Sequence, residues 1–162
     1  MGDKSNKILV FTTAYRPLIG GSEIALEETI KRLPEFFFEI ITPRYSGQFP
    51  KMETGDNFRI HRIGWGLKLD KYLFPVLGFL RARSFSGIRI VHAYQASYGA
   101  GAAWLLRVFN PKLILVLTLQ EGKKLDSQKY LIRFFRKLII KKADSVTAIS
   151  RYLAGYASSL NK

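Results

Sequence analysis

Short apolar runs alternate along the chain with longer segments that are apolar on one side. The first run, Ile8 to Phe11, is continuously apolar, as expected for a parallel strand covered on both faces. After Gly20-Gly21, the spacing of Leu26, Ile30 and Leu33 predicts one face of a helix. The same reasoning predicts strands over 37–42, 58–63, 88–93, 112–119 and 145–149, and helices over 70–85, 97–109, 128–143 and 150–160.

This order of strands and helices predicts an α/β fold, namely a Rossmann-like three-layer α/β/α domain with a mainly parallel sheet over residues 1–162. Ligands of such sheets bind beyond the carboxyl ends of the strands. We therefore expect the site in four loops, at 12–23, 92–98, 120–124 and 150–151.

Two segments are predicted in more detail. The stretch 43–57 contains Gly and Pro and is expected to be a loop, and the alternation over 58–63 predicts a half-exposed strand. In the helix over 128–143, Phe134 and Phe135 are expected on a core-facing side and Arg133, Arg136 and Lys137 on a solvated basic side. The alternative for this helix is that it lies on a membrane.

Composition adds a large positive charge to this picture. The 26 lysines and arginines exceed the 12 acidic residues by 14, so a nucleic acid, an anionic membrane or a phosphorylated substrate is an expected partner. A content of 48% hydrophobic residues is enough for a buried core. The absence of cysteine excludes disulfides and thiolate chemistry, and the longest apolar stretch is too short to cross a bilayer.

The loop that ends in Gly20-Gly21-Ser22-Glu23 predicts a phosphate or sugar site. The two glycines can adopt positive φ and admit a ligand to the backbone, and Ser22 can cap the following helix. A pair of glycines that merely turns the chain is the alternative. Dinucleotide, P-loop and serine-hydrolase motifs are not matched, which disfavours those three classes.

Four segments in this order resemble the amino-terminal half of GT-B glycosyltransferases of family four. They are Ala14 to Glu23, Ile90 to Tyr94, Leu117 to Gly122 and Ala143 to Ser150. The resemblance covers nearly the whole chain. It implies one half of a two-domain GT-B architecture that transfers sugars from nucleotide-sugar donors with retention of anomeric configuration.

The resemblance also implies roles for single residues. Gly20 and Gly21 would approach the donor diphosphate and the acceptor, and Ser150 would lie near the interdomain hinge. The family often has a histidine after the fifth strand, close to the transferred sugar, and this chain has Gln120, which can hydrogen-bond a sugar hydroxyl but cannot take a proton. The remaining candidates for donor-phosphate or acceptor binding are Ser22, Glu23, Arg16, His92, Tyr94, Glu121 and Lys123.

Two of these candidates have structural alternatives. His92 fits a strand-end histidine that satisfies local hydrogen bonds better than a catalyst. Glu23 could bind a sugar hydroxyl, or it could favour the helix amino terminus electrostatically. If the site needs a cation, Lys123 or Lys124 would supply it.

The family's donor-binding domain, with its paired glutamates, is expected to follow the point where this chain stops. The domain formed by residues 1–162 is therefore expected, by itself, to bind no cofactor and to transfer sugar inefficiently. The nucleotide sugar would be the co-substrate of the full enzyme. A glycan or lipid-linked acceptor and a cytoplasmic location are implied. Membrane contact through 72–85 and 129–142 is a further hypothesis.

Three other functions stay open. A non-catalytic module for a phosphorylated ligand or nucleotide would use the same edge of the sheet. A nucleic-acid binder is less favoured because no recognition motif is present. A sugar-phosphate epimerase on a similar two-domain scaffold is the third.

Overall fold

A computed structural model describes residues 6–120 and 130–160 of the 162-residue chain. Seven strands and five helices lie within those residues, and they alternate except that β2, β3 and β4 follow one another directly. The strands are β1 Lys7–Phe11, β2 Phe37–Pro43, β3 Met52–Thr54, β4 Phe58–Ile63, β5 Ile88–Tyr94, β6 Ile114–Leu119 and β7 Ser145–Ala148. The helices are α1 Gly21–Arg32, α2 Asp70–Ala82, α3 Tyr98–Phe109, α4 Tyr130–Lys142 and α5 Arg151–Ser158.

All described strands form one sheet in the order β3-β4-β2-β1-β5-β6-β7. Neighbouring strands are parallel, except that β3 pairs antiparallel with β4. Strands β2, β4 and β3 lie on one side of β1, and β5, β6 and β7 lie on the other side. The direction in which successive strands are added therefore reverses between β1 and β5. The predicted α/β fold with a mainly parallel sheet is confirmed, and β1 with β5 forms its topological switch point.

Helices cover both faces of the sheet. On one face, Leu26 and Ile30 of α1 pack with Val10 and Ile40 in one buried cluster. A second cluster on the opposite face joins α2, α3 and α4 to the sheet. It includes Phe74, Ala103, Ile140, Leu9, Phe11 and Leu115. The two faces of β1 are therefore both buried, which explains its continuously apolar sequence.

Small residues let α2 and α3 lie close to each other and to β1. A Cβ added to Gly78 of α2 would lie 3.2 Å from the Cβ of Ala102 in α3. A Cβ on Gly99 would lie 3.3 Å from the carbonyl carbon of Thr12, directly after β1. The first turn of α3 is thus held against the backbone at the switch point, because no side chain separates them.

The prediction for the stretch 43–57 was wrong in part, because Met52 to Thr54 pairs with β4 as an edge strand. The prediction that β4 is half exposed was also wrong, since His61 and Arg62 are buried on opposite sides of it. His61 Nε2 lies 2.7 Å from Glu39 Oε2, and Arg62 forms an ion pair with Glu53 of β3. Pairing with acids lets both of these polar side chains be buried, so neither side of β4 is left to solvent at this point.

The predicted faces of the basic helix were wrong. In α4, Ile139 and Ile140 are buried, and so is Arg136, which is 2% exposed. Phe134 and Phe135 are instead 47% and 48% exposed. Helix α4 turns its isoleucine side to the core, because Ile139 and Ile140 pack with α3 and the sheet. The spacing of apolar residues in the sequence did not distinguish this side from the phenylalanine side.

The helix boundaries otherwise follow the predictions closely. Helix α2 retains Pro75 in its interior, as expected, and ends at Ala82 rather than Phe85. Helix α5 begins after Ser150, whose Oγ accepts a hydrogen bond from the N–H of Leu153 at 3.2 Å. No helix in the described part of the chain is long and apolar enough to span a membrane.

Candidate functional site

The candidate site lies at the carboxyl ends of β1, β5 and β6. The loop after β1 runs to Gly20, and the short loop after β5 contains Gln95 and Ser97. Because β1 and β5 are adjacent and their following segments turn to opposite faces of the sheet, a crevice opens between those segments. The side chains that converge there are polar.

A chain of hydrogen bonds connects the two loops. Thr13 Oγ1 donates to Gln95 Oε1 at 3.0 Å, and Gln95 Nε2 donates to Ser22 Oγ at 3.3 Å. Ser22 Oγ in turn donates to Glu23 Oε1 at 2.6 Å, and Glu23 Oε2 accepts from the Gly20 N–H at 2.7 Å. The network fixes the first turn of α1 relative to the end of β5.

Two predictions about the glycine loop are corrected by this geometry. Gly20 has φ −139°, and neither it nor Gly21 is among the positive-φ residues of the described chain. Gly20, not Ser22, occupies the position before the first turn of α1, and Ser22 lies within that turn. A Cβ added to Gly20 would lie 2.8 Å from Glu23 Oε2, so a larger residue there would displace this carboxylate from the Gly20 N–H.

Glu23 shows the second of its two predicted arrangements. It is 5% exposed, and its carboxylate is turned back onto the Gly20 N–H in the manner of a capping box. Gly21 has open space around it, with nothing within 4 Å of an added Cβ. Gly21 is therefore exposed and sterically accessible at the start of α1.

Gln95 and Tyr45 belong to the site and were missed in the sequence. Gln95 has φ 66°, a conformation that costs a non-glycine residue free energy and clusters at functional sites. Tyr45, in the β2–β3 connection, donates its hydroxyl to the carbonyl of Thr13 at 2.6 Å. Neither residue lies in a sequence pattern that marks a backbone outlier or a contact between distant loops.

Arg16 is exposed on the loop after β1. Its Nε donates to Glu27 Oε1 of α1 at 2.6 Å. This hydrogen bond lowers the pKa of Glu27 below its ordinary value. The guanidinium is thus oriented along α1, and a phosphate ligand would have to compete with Glu27 for it.

His92 and Tyr94 lie within β5 rather than in the loop after it. His92 Nε2 shares a hydrogen bond of 2.7 Å with Thr118 Oγ1, which agrees with the local structural alternative. Burial lowers the pKa of His92 to about 4, so the ring is neutral at pH 7. The Tyr94 hydroxyl lies 3.2 Å from Thr29 Oγ1 of α1, and burial raises the pKa of Tyr94.

Two buried polar atoms at the site have no hydrogen-bond partner among the described residues. They are Ser97 Oγ, after β5, and Gln120 Oε1, after β6. Buried polar atoms are nearly always satisfied, so such atoms at a ligand-binding edge require an explanation. A bound ligand with donors would provide one. The predicted site residues Glu121 and Lys123, as well as Lys124, lie outside the described residues.

Part of the motif Ala143 to Ser150 has a structural explanation. Asp144 accepts hydrogen bonds from Arg107 Nη2 at 2.9 Å and from the Leu115 N–H at 2.7 Å, which attaches the start of β7 to α3 and β6. Ser150 caps α5 and is exposed. In the described chain, no three His, Asp or Glu side chains come together as a metal site would need.

A cavity of about 540 Å³ lies at the opposite, amino-terminal edge of the sheet. Its lining includes Phe79, Phe85 and Phe109. No lining residue is among those with an unpaired buried polar atom in the described chain. We therefore locate the candidate site at the switch point, where polar groups converge.

No family model and no curated protein sequence matches the chain. Solved structures do match it. Sucrose-phosphate synthase from Thermosynechococcus elongatus superposes with a TM-score of 0.72 at 14% sequence identity, over 96% of this chain and 45% of that chain. This chain therefore has the fold of one half of a GT-B protein.

A second structure of sucrose-phosphate synthase from the same organism gives a TM-score of 0.71 at 16% identity. It covers 97% of this chain and 84% of that chain. The predicted Rossmann-like half of a GT-B architecture is thereby confirmed as a fold. This chain spans less than half the length of the first of these structures.

Proposed function

We propose that this chain forms the acceptor-side half of a retaining glycosyltransferase, which transfers a sugar from a nucleotide-sugar donor to a glycan or lipid-linked acceptor. A second, carboxyl-terminal domain would bind the donor and form the other wall of the cleft. The proposal is supported by the fold that this chain shares with sucrose-phosphate synthase, of whose longer chain it covers 45%. The polar crevice at the switch point is the second support.

The observation that carries the proposal is a pair of buried atoms, Ser97 Oγ and Gln120 Oε1, that have no hydrogen-bond partner within residues 6–120 and 130–160. Sugar hydroxyls are donors as well as acceptors, so they suit both a serine hydroxyl and an amide oxygen. In this proposal, Gln120 hydrogen-bonds the transferred sugar and Gly20-Gly21 faces the donor diphosphate. Gln120 cannot exchange a proton, so its part is to hold and orient the sugar.

The test uses the product of the complete reading frame that contains this chain. It is incubated with a panel of nucleotide sugars and with glycan and lipid acceptors, and release of nucleoside diphosphate is measured. Gln120→Ala should reduce the rate about tenfold or more, because one hydrogen bond to the reacting sugar is lost. Gln48→Ala, at an exposed loop glutamine, is the matched control and should leave the rate unchanged.

The alternative, a non-catalytic module for a phosphorylated ligand, is favoured by the same unsatisfied atoms together with the net charge of +14. It predicts that the chain by itself binds a nucleoside diphosphate or sugar phosphate in a calorimetric titration. It also predicts that the complete product releases no diphosphate with any donor. Transfer by the complete product would exclude it.

A further inference from the structure

Helix α2 has two apolar sides, of which only one is packed. Phe74, Gly78 and Ala82 face the sheet and are buried. The other side forms a row of large apolar side chains that are 49% to 63% exposed. We call it the α2 stripe, and it consists of Leu69, Tyr72, Leu73, Val76 and Leu80. The spacing of three and four residues places them on one face.

The outer side of α1 shows what an ordinary solvated helix looks like in this fold. It carries Glu28, Lys31 and Arg32, which pair with each other at 3.0 and 3.6 Å. A surface helix normally presents such residues to water, and a contiguous exposed apolar patch marks an interaction site. The α2 stripe therefore needs an occupant.

The charge around the α2 stripe restricts that occupant. Helix α2 and the turn before it, residues 64–83, contain Lys68, Lys71, Arg81 and Arg83 but one acidic residue, Asp70. Asp70 is 1% exposed, and its Oδ2 accepts hydrogen bonds from the N–H groups of Gly66 and Leu67. Exposed Lys68 lies beside the stripe, and Lys71 Nζ lies 4.9 Å from the ring centre of Tyr72.

The α2 stripe also adjoins the candidate site. Helix α2 starts at the carboxyl edge of the sheet, and Trp65 and Leu67, which precede it, are 63% and 58% exposed. The ring of Tyr72 meets that of Tyr98 edge-on at 5.4 Å. Tyr98 is the first residue of α3, directly after the loop that contains Gln95 and Ser97. One continuous surface thus joins the stripe to the site.

We infer that the α2 stripe docks on a bilayer that contains anionic lipids and brings the candidate site to the membrane surface. A helix with an apolar face and flanking lysines lies in the interface of such a bilayer. A second copy of the chain would bring like charges together, which opposes association. The inference rests on the proposed function, because this orientation would present the headgroup of a lipid-linked acceptor to the crevice.

The first test compares matched double variants in co-sedimentation with vesicles. Val76→Ser with Leu80→Ser removes side chains that are 54% and 53% exposed, and Met52→Ser with Ile114→Ser removes side chains that are 57% and 48% exposed elsewhere. The α2 pair should weaken binding to phosphatidylcholine vesicles containing phosphatidylglycerol about tenfold or more. The Met52/Ile114 pair should bind as the unaltered chain does.

A second variant keeps the apolar side chains and changes the charge. Lys68→Gln with Lys71→Gln should weaken binding to the anionic vesicles about tenfold or more and make it less sensitive to salt. A blue shift of Trp65 emission on binding, measured in a Trp104→Phe background, reports contact beside the stripe. Circular dichroism and thermal unfolding establish that each variant is folded.

Three results would overturn the inference. One is equal binding to vesicles with and without phosphatidylglycerol, and another is equal loss in both apolar double variants. The third is a dimer that the Val76/Leu80 variant dissociates, since the stripe would then be a protein interface. The assay needs no donor or acceptor, so its failure leaves the transfer assay of the proposed function unaffected.

Discussion

Gln95 shows how single residues build the site. Its amide spans the crevice between Thr13 and Ser22, and its backbone adopts a φ of 66° to do so. A strained backbone conformation persists where surrounding contacts offset its free-energy cost, and the two hydrogen bonds of the Gln95 side chain are such contacts.

Replacing Gln95 separates these two contributions. Gln95→Ala should lower the free energy of unfolding by about 1–3 kcal/mol, because both hydrogen bonds are lost while the strained φ is kept. Gln95→Gly should lose less, since glycine adopts positive φ without strain. Urea unfolding of the two variants measures the difference. An alanine variant as stable as the glycine variant would show that the backbone strain is negligible.

The ring of His92 makes stability depend on pH. Because burial lowers its pKa from 6.5 to about 4, the folded chain holds the neutral form while the unfolded chain takes up a proton below pH 6.5. The contribution of His92 is complete above pH 6.5 and is lost as the pH falls toward 4, by up to about 3 kcal/mol. Thermal unfolding of His92→Gln should show a weaker decline between pH 6.5 and 4 than that of the unaltered chain. Parallel declines would contradict the lowered pKa.

At the scale of elements, the close approach of α3 to β1 shapes the crevice. Gly99→Ala places a Cβ 3.3 Å from the backbone of Thr12, which cannot move aside as a side chain does, so we expect a loss of about 1–3 kcal/mol. Gly155→Ala in α5 meets nothing within 4 Å and should gain about 0.5–1 kcal/mol from helix propensity. Chemical unfolding tests both. A stabilised Gly99→Ala variant would mean that α3 can shift away from the switch point.

Most elements could be predicted because their apolar patterns are strong. The run Ile8 to Phe11 and the break at Asn110-Pro111 determine a strand and the end of a helix through local chemistry. Strand β3 could not be predicted, because its three exposed residues are held by pairing with β4 rather than by burial. The buried face of α4 could not be predicted either, because the helix has two apolar sides. Packing against the rest of the fold buries the side with Ile139, Ile140 and Arg136.

The candidate site was predictable only in part for a similar reason. The glycine loop and Gln120 follow strands, so their place at the carboxyl edge was readable from element order. The link from Gln95 to Ser22 joins residues 73 positions apart, and the buried carboxylate of Glu23 depends on a contact with Gly20. Such contacts follow from the folded geometry, and no local pattern reports them.

At the scale of the whole molecule, the features of the candidate site are concentrated at one edge of the sheet. The crevice at the switch point lies there, and so does one end of the α2 stripe. Ser97 Oγ and Gln120 Oε1, which have no partner in the described part of the chain, lie there as well. The other edge carries the cavity near Phe79 and Phe109. If the chain is half of a transferase, ligands should order the first edge and leave the second unchanged.

Hydrogen–deuterium exchange on the complete reading-frame product, with and without a nucleotide sugar, tests this most directly. We predict that the donor slows exchange at residues 12–23, 95–98 and 118–120, where the crevice lies. Slower exchange only around the cavity at residues 79–88 and 106–113, or no change within this chain with any donor, would contradict the account.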